Sequence, residues 1–320
     1  MSRPPTRLLA ISHDEVMRLV DPARAVDALA EGFKALSDGK VEAPPRPKVD
    51  VPGKGFSLAM LAWTPGRLIA LKTVNVFHDN HRRGLESHQA LVSLFNPETG
   101  EPVAVLDGAS LTGIRTAAAA ILATRALARD DAAVALVVGS GVQGREHARQ
   151  LALARNFAEI RVFARNAKAA QAIAASVPNG TAVTDLEAAT RTADVICLTT
   201  SSADPVIEDG WVRPGTHVTS VGFTPPGSEL PYALVDRASL FVESMAAFSP
   251  APVGCAELAG RDPAGGAELG EVLLGRKTGR TAPDQVTLYK SMGNAMEDMV
   301  VANLAYEAAL AAGAGQRIEL

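Results

Sequence analysis

The sequence predicts an α/β protein: a doubly wound parallel sheet joined to a second domain of α+β character. Three observations carry this. The first is a short apolar run, 134–138, that ends in Gly139-Ser-Gly141-Val142-Gln143-Gly144 and passes at once into helical spacing through His147, Leu151 and Ala154. In such a strand–turn–helix the first glycine makes the tight turn, the second lets a pyrophosphate approach the main chain, and the third lets helix and strand pack closely. The new helix presents free N–H groups and its positive dipole end to the phosphates. A bare glycine pattern would fit any strand-to-helix turn; the strand before it and the helix after it select the dinucleotide reading. The second observation is the alternation that follows, with strands expected at 134–138, 160–163, 182–184, 195–199, 217–221 and 240–242 and helical segments between most of them. The third is the β-rich stretch that precedes it.

Taken in order, residues 12–36 read as amphipathic helix, with Ser12 a cap ahead of Asp14 and Glu15, and Asp21-Pro22 restarting it as a second helix. Residues 41–51 are punctuated by Pro44, Pro45 and Pro47, hence extended or looped. Strands are expected at 57–63, 68–77, 89–95 and 103–106, with a hairpin turn at Asn96-Pro97-Glu98-Thr99-Gly100. A long alanine-rich helix over 111–128 carries Arg115. After the alternating region, 246–266 is rich in Pro, Gly and Ala and reads as a surface excursion. Residues 293–312 form a long helix that can pack back on the first.

At 320 residues the chain has length for about two domains. A formal net charge of −4 leaves no electrostatic footprint for nucleic acid. Cys197 and Cys255 cannot staple a fold this size and show no zinc-type spacing, which points to a reducing cytoplasm and no metal site. Residues 1–20 carry Arg7, His13, Asp14, Glu15 and Arg18 and no apolar core of signal-peptide length. No apolar stretch approaches the ~20 residues of a membrane span; the alanine-rich stretch after Thr116 is broken by Thr124 and Arg125.

Several segments are distinctive in collinear order: Arg46-Pro-Lys, Ala70-Leu-Lys72-Thr-Val-Asn-Val-Phe, Gly84-Leu-Glu-Ser-His-Gln and Leu94-Phe-Asn-Pro-Glu-Thr-Gly. They continue with Leu106-Asp-Gly-Ala-Ser-Leu-Thr-Gly-Ile-Arg115, Gly139-Ser-Gly-Val-Gln, Trp211-Val-Arg-Pro-Gly-Thr-His, Glu268-Leu-Gly-Glu-Val, Leu288-Tyr-Lys-Ser-Met-Gly and Ala295-Met-Glu-Asp. In these the chain resembles the ornithine cyclodeaminase/mu-crystallin family across nearly its whole length. The resemblance implies a homodimer whose substrate and dimerisation domain (1–119, completed by 293–320) is built from both chain ends, with a Rossmann domain (120–292) between them. Members include ornithine and lysine cyclodeaminases, an alanine dehydrogenase, and reductases of ketimines such as Δ1-pyrroline-2-carboxylate and Δ1-piperideine-2-carboxylate; relatives of this fold also serve as lens crystallin and hormone-binding protein.

The resemblance puts Arg46, Lys72 and Arg115 at the positions that bind the substrate carboxylate. Alone, each would read as a solvated surface cation. Lys72, however, interrupts an apolar strand pattern and Arg115 an apolar helix face, where a charge needs a partner or a function. An arginine fork and a lysine point charge together would orient the reacting carbon. Ser87 replaces a threonine that stands near the nicotinamide, and His88 reads as structural. Ser291 matches a cofactor-contacting serine, with a plain helix cap as its alternative, and Met292 a substrate-pocket residue. The cofactor set is Ser87, Arg115, Gly139, Gly141, Val142, Gln143, Gly144, Arg165, Asn166, Thr200, Val221 and Ser291. At the end of the second Rossmann strand Ala164 stands where an NAD-using relative has an acid, and Arg165 follows, which favours NADP(H) over NAD; a one-residue slip would give the role to Asn166.

One departure bears on activity. Cyclodeaminases of the family keep an acid/base Asp in a loop that here reads Val221-Gly-Phe-Thr224-Pro-Pro-Gly-Ser228-Glu229, with Thr224 in its place and Ser228 replacing a lysine. A threonine hydroxyl titrates too high to act as general base, and Glu229 reads as structural. The expectation is an NAD(P)H-dependent ketimine reductase acting on a small imino acid, with cyclodeaminase, alanine dehydrogenase and crystallin-like binding protein as alternatives.

Overall fold

The computed structural model describes residues 6–319, the side chains of 78 and 81 excepted; the first five residues of the stretch read for a signal peptide lie outside it. The chain forms two compact units, 1–115 with 294–320, and 116–293. The first opens with β1 (Arg7–Ile11), α1 (His13–Leu19), α2 (Pro22–Ser37), β2 (Lys48–Val51), β3 (Gly55–Ala62), β4 (Ile69–Phe77), β5 (His88–Phe95) and β6 (Pro102–Asp107). After α3 (Gly108–Leu127), the second unit contains β7 (Val134–Val138), α4 (Val142–Ala154), β8 (Glu159–Phe163), α5 (Ala167–Ala175), β9 (Gly180–Ala182), α6 (Leu186–Arg191) and β10 (Val195–Leu198). It continues with β11 (His217–Ser220), α7 (Tyr232–Arg237), β12 (Ser239–Val242), β13 (Gly266–Glu268), α8 (Leu269–Leu273) and β14 (Thr287–Lys290). The chain then returns to the first unit with α9 (Ala295–Ala312) and β15 (Gln316–Glu319).

In the first unit the sheet runs β15-β1-β6-β5-β4-β3-β2, antiparallel except for the β1/β6 pair. The expected turn joins β5 to β6: Gly100 N–H donates to the Asn96 carbonyl at 2.8 Å and the Asn96 side chain accepts from Glu98 N–H at 2.8 Å. β4 alternates as a half-buried strand should, with Ala70, Lys72, Val74 and Val76 facing inward. Its register sets Lys72 between Met60 of β3 and Val92 of β5. α9 packs over β3, β4 and β5 and against α2. Asn303 pins it there by accepting from Leu68 N–H at 2.9 Å and donating to the Leu68 carbonyl at 3.3 Å. α2 starts where Asp21-Pro22 predicts, the Asp21 carboxylate accepting from Arg24 N–H.

The second unit is the expected doubly wound parallel sheet, in the order β13-β12-β14-β11-β10-β7-β8-β9. β10, β11 and β14 are buried at every position, as strands covered on both faces must be. The order reverses between β7 and β10, and the strand C-termini there form the crevice that dinucleotides occupy in such sheets.

Three details differ from the sequence reading. β9 lies two residues earlier than expected, at Gly180–Ala182. β1, β2, β13, β14 and β15 are strands beyond those expected; β2 and β15 are mostly exposed and carry no apolar run, and β13 spans three residues. Residues 246–266 are not a surface excursion: Ala247, Phe248, Cys255 and Leu258 are buried in the core of the second unit, and Glu257 pairs with buried Lys290. Prolines and glycines keep that segment irregular without keeping it outside.

Two buried histidines make this unit acid-sensitive. His147 donates from Nδ1 to the Gln143 carbonyl, His217 meets Thr287 Oγ1, and burial lowers their pKa values to about 4 and about 3. Both are neutral in the folded state and must charge on unfolding, so their contribution is complete above the ordinary histidine range and lost as pH falls toward the folded values. Melting followed by circular dichroism should therefore show Tm falling steeply from about pH 6.5 to pH 4, and H147Q with H217Q should flatten that limb; an unchanged slope would show that protonation occurs elsewhere.

Candidate functional site

At the end of β7 the backbone fits a pyrophosphate. Gly139 has φ +130°, and a Cβ there would stand 2.4 Å from Thr199 Oγ1. A Cβ at Gly144 would stand 2.2 Å from the Gly139 carbonyl oxygen. At Gly141, by contrast, a Cβ would meet nothing within 4 Å, so the main chain is open to a close ligand where the motif requires it. Gly141 is the N-cap of α4 without a side-chain cap bond, and Val142 and Gln143 form its first turn. Arg165 is exposed immediately after β8, whereas Asn166 caps α5, its side chain accepting from Ala169 N–H at 3.2 Å.

The neighbouring strand ends are tied by buried acids. Glu229 accepts four hydrogen bonds: from Thr200 N–H (2.8 Å) and Oγ1–H (2.7 Å) after β10, and from Ser220 Oγ–H (2.8 Å) and Gly222 N–H (2.7 Å) at the end of β11. Lys290 donates to the Gly222 carbonyl and pairs with Glu257 at 2.9 Å. Burial pushes the Glu257 carboxyl up, and Lys290 reverses this, holding its pKa below the usual value. Glu243 accepts from Ser291 Oγ–H (2.5 Å), Met292 N–H (3.0 Å) and Gly293 N–H (2.9 Å). Ser291 is thus not a helix cap; Asn294 caps α9. Val221 N–H is bonded to the Leu198 carbonyl, and half-buried Met292 packs on this unit's core. Thr224 bridges back to Gly227 in the loop after β11.

In the first unit, Lys72 and Arg115 come together in a buried ion cluster with Glu297 and Asp298, all four no more than 5% exposed. Asp298 Oδ1 accepts from Lys72 Nζ at 3.0 Å and from Arg115 Nε at 3.1 Å, while Glu297 Oε2 accepts from Arg115 Nη1 at 2.9 Å. Asp298 Oδ2 is buried with no hydrogen-bond partner. Burial pulls Lys72 down to about pKa 8, Asp298 working against the shift and Arg115 with it. Arg46 is half-buried in the extended segment before β2; half-buried Ser87 precedes β5, its carbonyl accepting from Phe77 N–H. Sequence reading did not assign roles to Glu297 and Asp298. The signal was there, since adjacent acids opening an otherwise apolar helix raise the question Lys72 raised in its strand; at a helix N-terminus, though, acids are ordinary. Among the described residues no helix is long and apolar enough to cross a membrane, and no three His, Cys, Asp or Glu side chains group to hold a metal ion.

Comparison with known proteins agrees with this architecture. The model of the ornithine cyclodeaminase/mu-crystallin family matches residues 8–313. The structure of Thermococcus litoralis Δ1-pyrroline-2-carboxylate reductase in complex with NADH and L-proline superposes with a TM-score of 0.91 at 31% identity, covering 97% of this chain and 100% of that one. An archaeal alanine dehydrogenase dimer with bound NAD superposes at 0.85 with 31% identity, covering 98% and 99%. The mouse ketimine reductase mu-crystallin is 34% identical over 315 residues, covering 96% of this chain and 98% of its own. Both the expected family and the expected α/β fold are therefore found, and this chain belongs to the ornithine cyclodeaminase/mu-crystallin family.

Proposed function

We propose that the chain is an NAD(P)H-dependent reductase of cyclic ketimines, of the Δ1-pyrroline-2-carboxylate or Δ1-piperideine-2-carboxylate class, giving cyclic L-amino acids. The observation that carries this over cyclodeamination is the state of the acids around the loop after β11. Thr224 stands where cyclodeaminases have their Asp. The nearby Glu229 is buried with both oxygens held by four donors, so it is in no position to take over. Imine reduction does not need that carboxylate: a protonated cyclic imine is already electrophilic and no water has to be activated. When bound, the reduced dinucleotide supplies the hydride. Arg46, Lys72 and Arg115 hold the substrate carboxylate in this reading, and Gly139, Gly141, Val142, Gln143 and Gly144 hold the pyrophosphate.

We assign carboxylate binding to a substrate domain, 1–119 with 293–320, and the dinucleotide to a Rossmann domain, 120–292, in a cytoplasmic homodimer. The exposed Leu61 and Leu91, on the sheet face opposite α9, support a covering subunit; two buried free cysteines suit a reducing compartment. NADP is preferred over NAD in this reading, because Arg165 is exposed after β8, Ala164 carries no acid, and the Asn166 side chain is engaged in its cap.

The reading is tested by following NADPH and NADH oxidation with pyrroline-2-carboxylate, piperideine-2-carboxylate, and pyruvate with ammonia or methylamine. A cyclic imine should be reduced fastest; L-ornithine with catalytic NAD should yield no proline and ammonia, and their appearance would reverse the assignment. kcat/KM should favour NADPH, and R165A should erase most of that preference, as should added salt, because an exposed guanidinium–phosphate pair is screened; equal values in the parent enzyme would make Arg165 an ordinary surface residue. K72M should lower kcat/KM by about 10- to 100-fold on the folded fraction. It should also lower Tm, because a buried carboxylate stripped of one partner costs about 3–5 kcal/mol. Normal turnover in K72M would remove Lys72 from the site.

A further inference from the structure

We propose that Asp298 is the positioning residue of the carboxylate site, holding Lys72 and Arg115 as one charged pair through a single shared oxygen. The proposal rests on the reading of those two cations as substrate ligands. Oδ1 lies 3.0 Å from Lys72 Nζ and 3.1 Å from Arg115 Nε, so moving it would disturb both donors together.

The need for such a residue follows from the charges. Lys72 projects from the buried face of β4 with Met60 and Val92 beside it; β3 carries no titratable side chain, and His88, the one on β5, stands opposite Val76, two inward positions away. The charges facing Lys72 are Arg115 from α3 and Glu297 and Asp298 from α9. Burial and Arg115 both favour a neutral amine, and a neutral amine has no net attraction for a carboxylate. Asp298 is the nearest group opposing them. The four charges sum to zero, so the cluster offers an incoming anion oriented donors rather than excess positive charge; in the proposed reading Arg46 is the further cation.

Asp298 is not required to fix the helix. α9 is anchored by Asn303 on Leu68 and capped by Asn294, whose side chain accepts from Met296 N–H, with Glu297 returning to Asn294 N–H. The carboxylate therefore acts through the two cations, while Asn303 and Asn294 hold the helix itself.

The test follows Lys72 directly. With lysines labelled at 13Cε, its resonance is assigned by its loss in K72M and titrated by NMR from pH 6 to 11 in the parent, D298N and D298E. The parent should titrate near the value of about 8 set by its surroundings. D298N should titrate lower by about one pH unit or more, and D298E should restore the parent midpoint. In parallel, calorimetry measures Kd for cyclopentanecarboxylate, which has no titratable nitrogen. D298N should bind about tenfold more weakly at pH 7.5 and recover toward the parent at pH 6. An unshifted Lys72 midpoint in folded D298N, or an affinity loss equal at all pH values, overturns the positioning role while leaving the carboxylate reading in place. No binding by the parent at any pH overturns the carboxylate reading and the proposal with it. Should D298N not fold, the parent still decides: the 13Cγ resonance of Asp298, identified by its loss in D298E, should move through the Lys72 midpoint, and independent movement overturns the pairing.

Discussion

One carboxylate oxygen, Asp298 Oδ1, answers for two buried cations on two other elements, and much of the first unit is arranged around that contact. A lysine on the inward face of β4 is tolerable only if an acid meets it. The acid comes from residue 298, more than two hundred positions along the chain, so the chain must return after completing an entire second unit. That return fixes α9 over β3, β4 and β5, where Asn303 locks its register to the first residues leading into β4. Strand alternation, helix register and the start of α3 all have to agree before the four charges meet.

The second unit solves a different problem. In the proposed reading its strand ends present main-chain groups to a polyanion without letting the loops wander. Close approach of backbone to backbone at Gly139 and Gly144 sets the turn. Beyond β10, β11 and β12, buried glutamates replace regular hydrogen bonding: Glu229 joins two loops, and Glu243 gathers three donors around Ser291. Such internal satisfaction makes the rim rigid, since each of these carboxylates would pay heavily for losing its donors.

What was legible in the sequence divides along the same physical line. Local signals carried far: the glycine turn, Asp21-Pro22, the Asn96–Gly100 turn and the alternation in β4 each reappear within a residue or two. Lys72 and Arg115 stood out because a charge breaking an apolar period is a local anomaly. Their partners did not, because Glu297 and Asp298 sit where a helix start makes acids unremarkable and pairing is decided by tertiary approach. The edge strands β2, β13 and β15 do not stand out, because β2 and β15 are mostly exposed with no apolar run and β13 spans three residues. Residues 246–266 misled for the opposite reason: proline and glycine report the absence of regular structure, not exposure, and Phe248 and Leu258 are buried all the same.

The engagement of its buried acids limits the chemistry such a protein can host. A reaction that removes an amine and adds water needs a carboxylate free to exchange protons with substrate. Among the described residues these buried acids are tied down: Glu229 by four donors, Glu243 by three, Glu257 by Lys290, Glu297 by Arg115, and Asp298 through Oδ1 by Lys72 and Arg115. Freeing any of them would leave a buried cation or a main-chain donor unsatisfied, at a cost of a few kcal/mol. A substrate that arrives as a protonated imine brings its own electrophile and makes no such demand. In the proposed reading Thr224 brings no carboxylate to the loop after β11, and the acid that the loop does carry, Glu229, is already part of the fold.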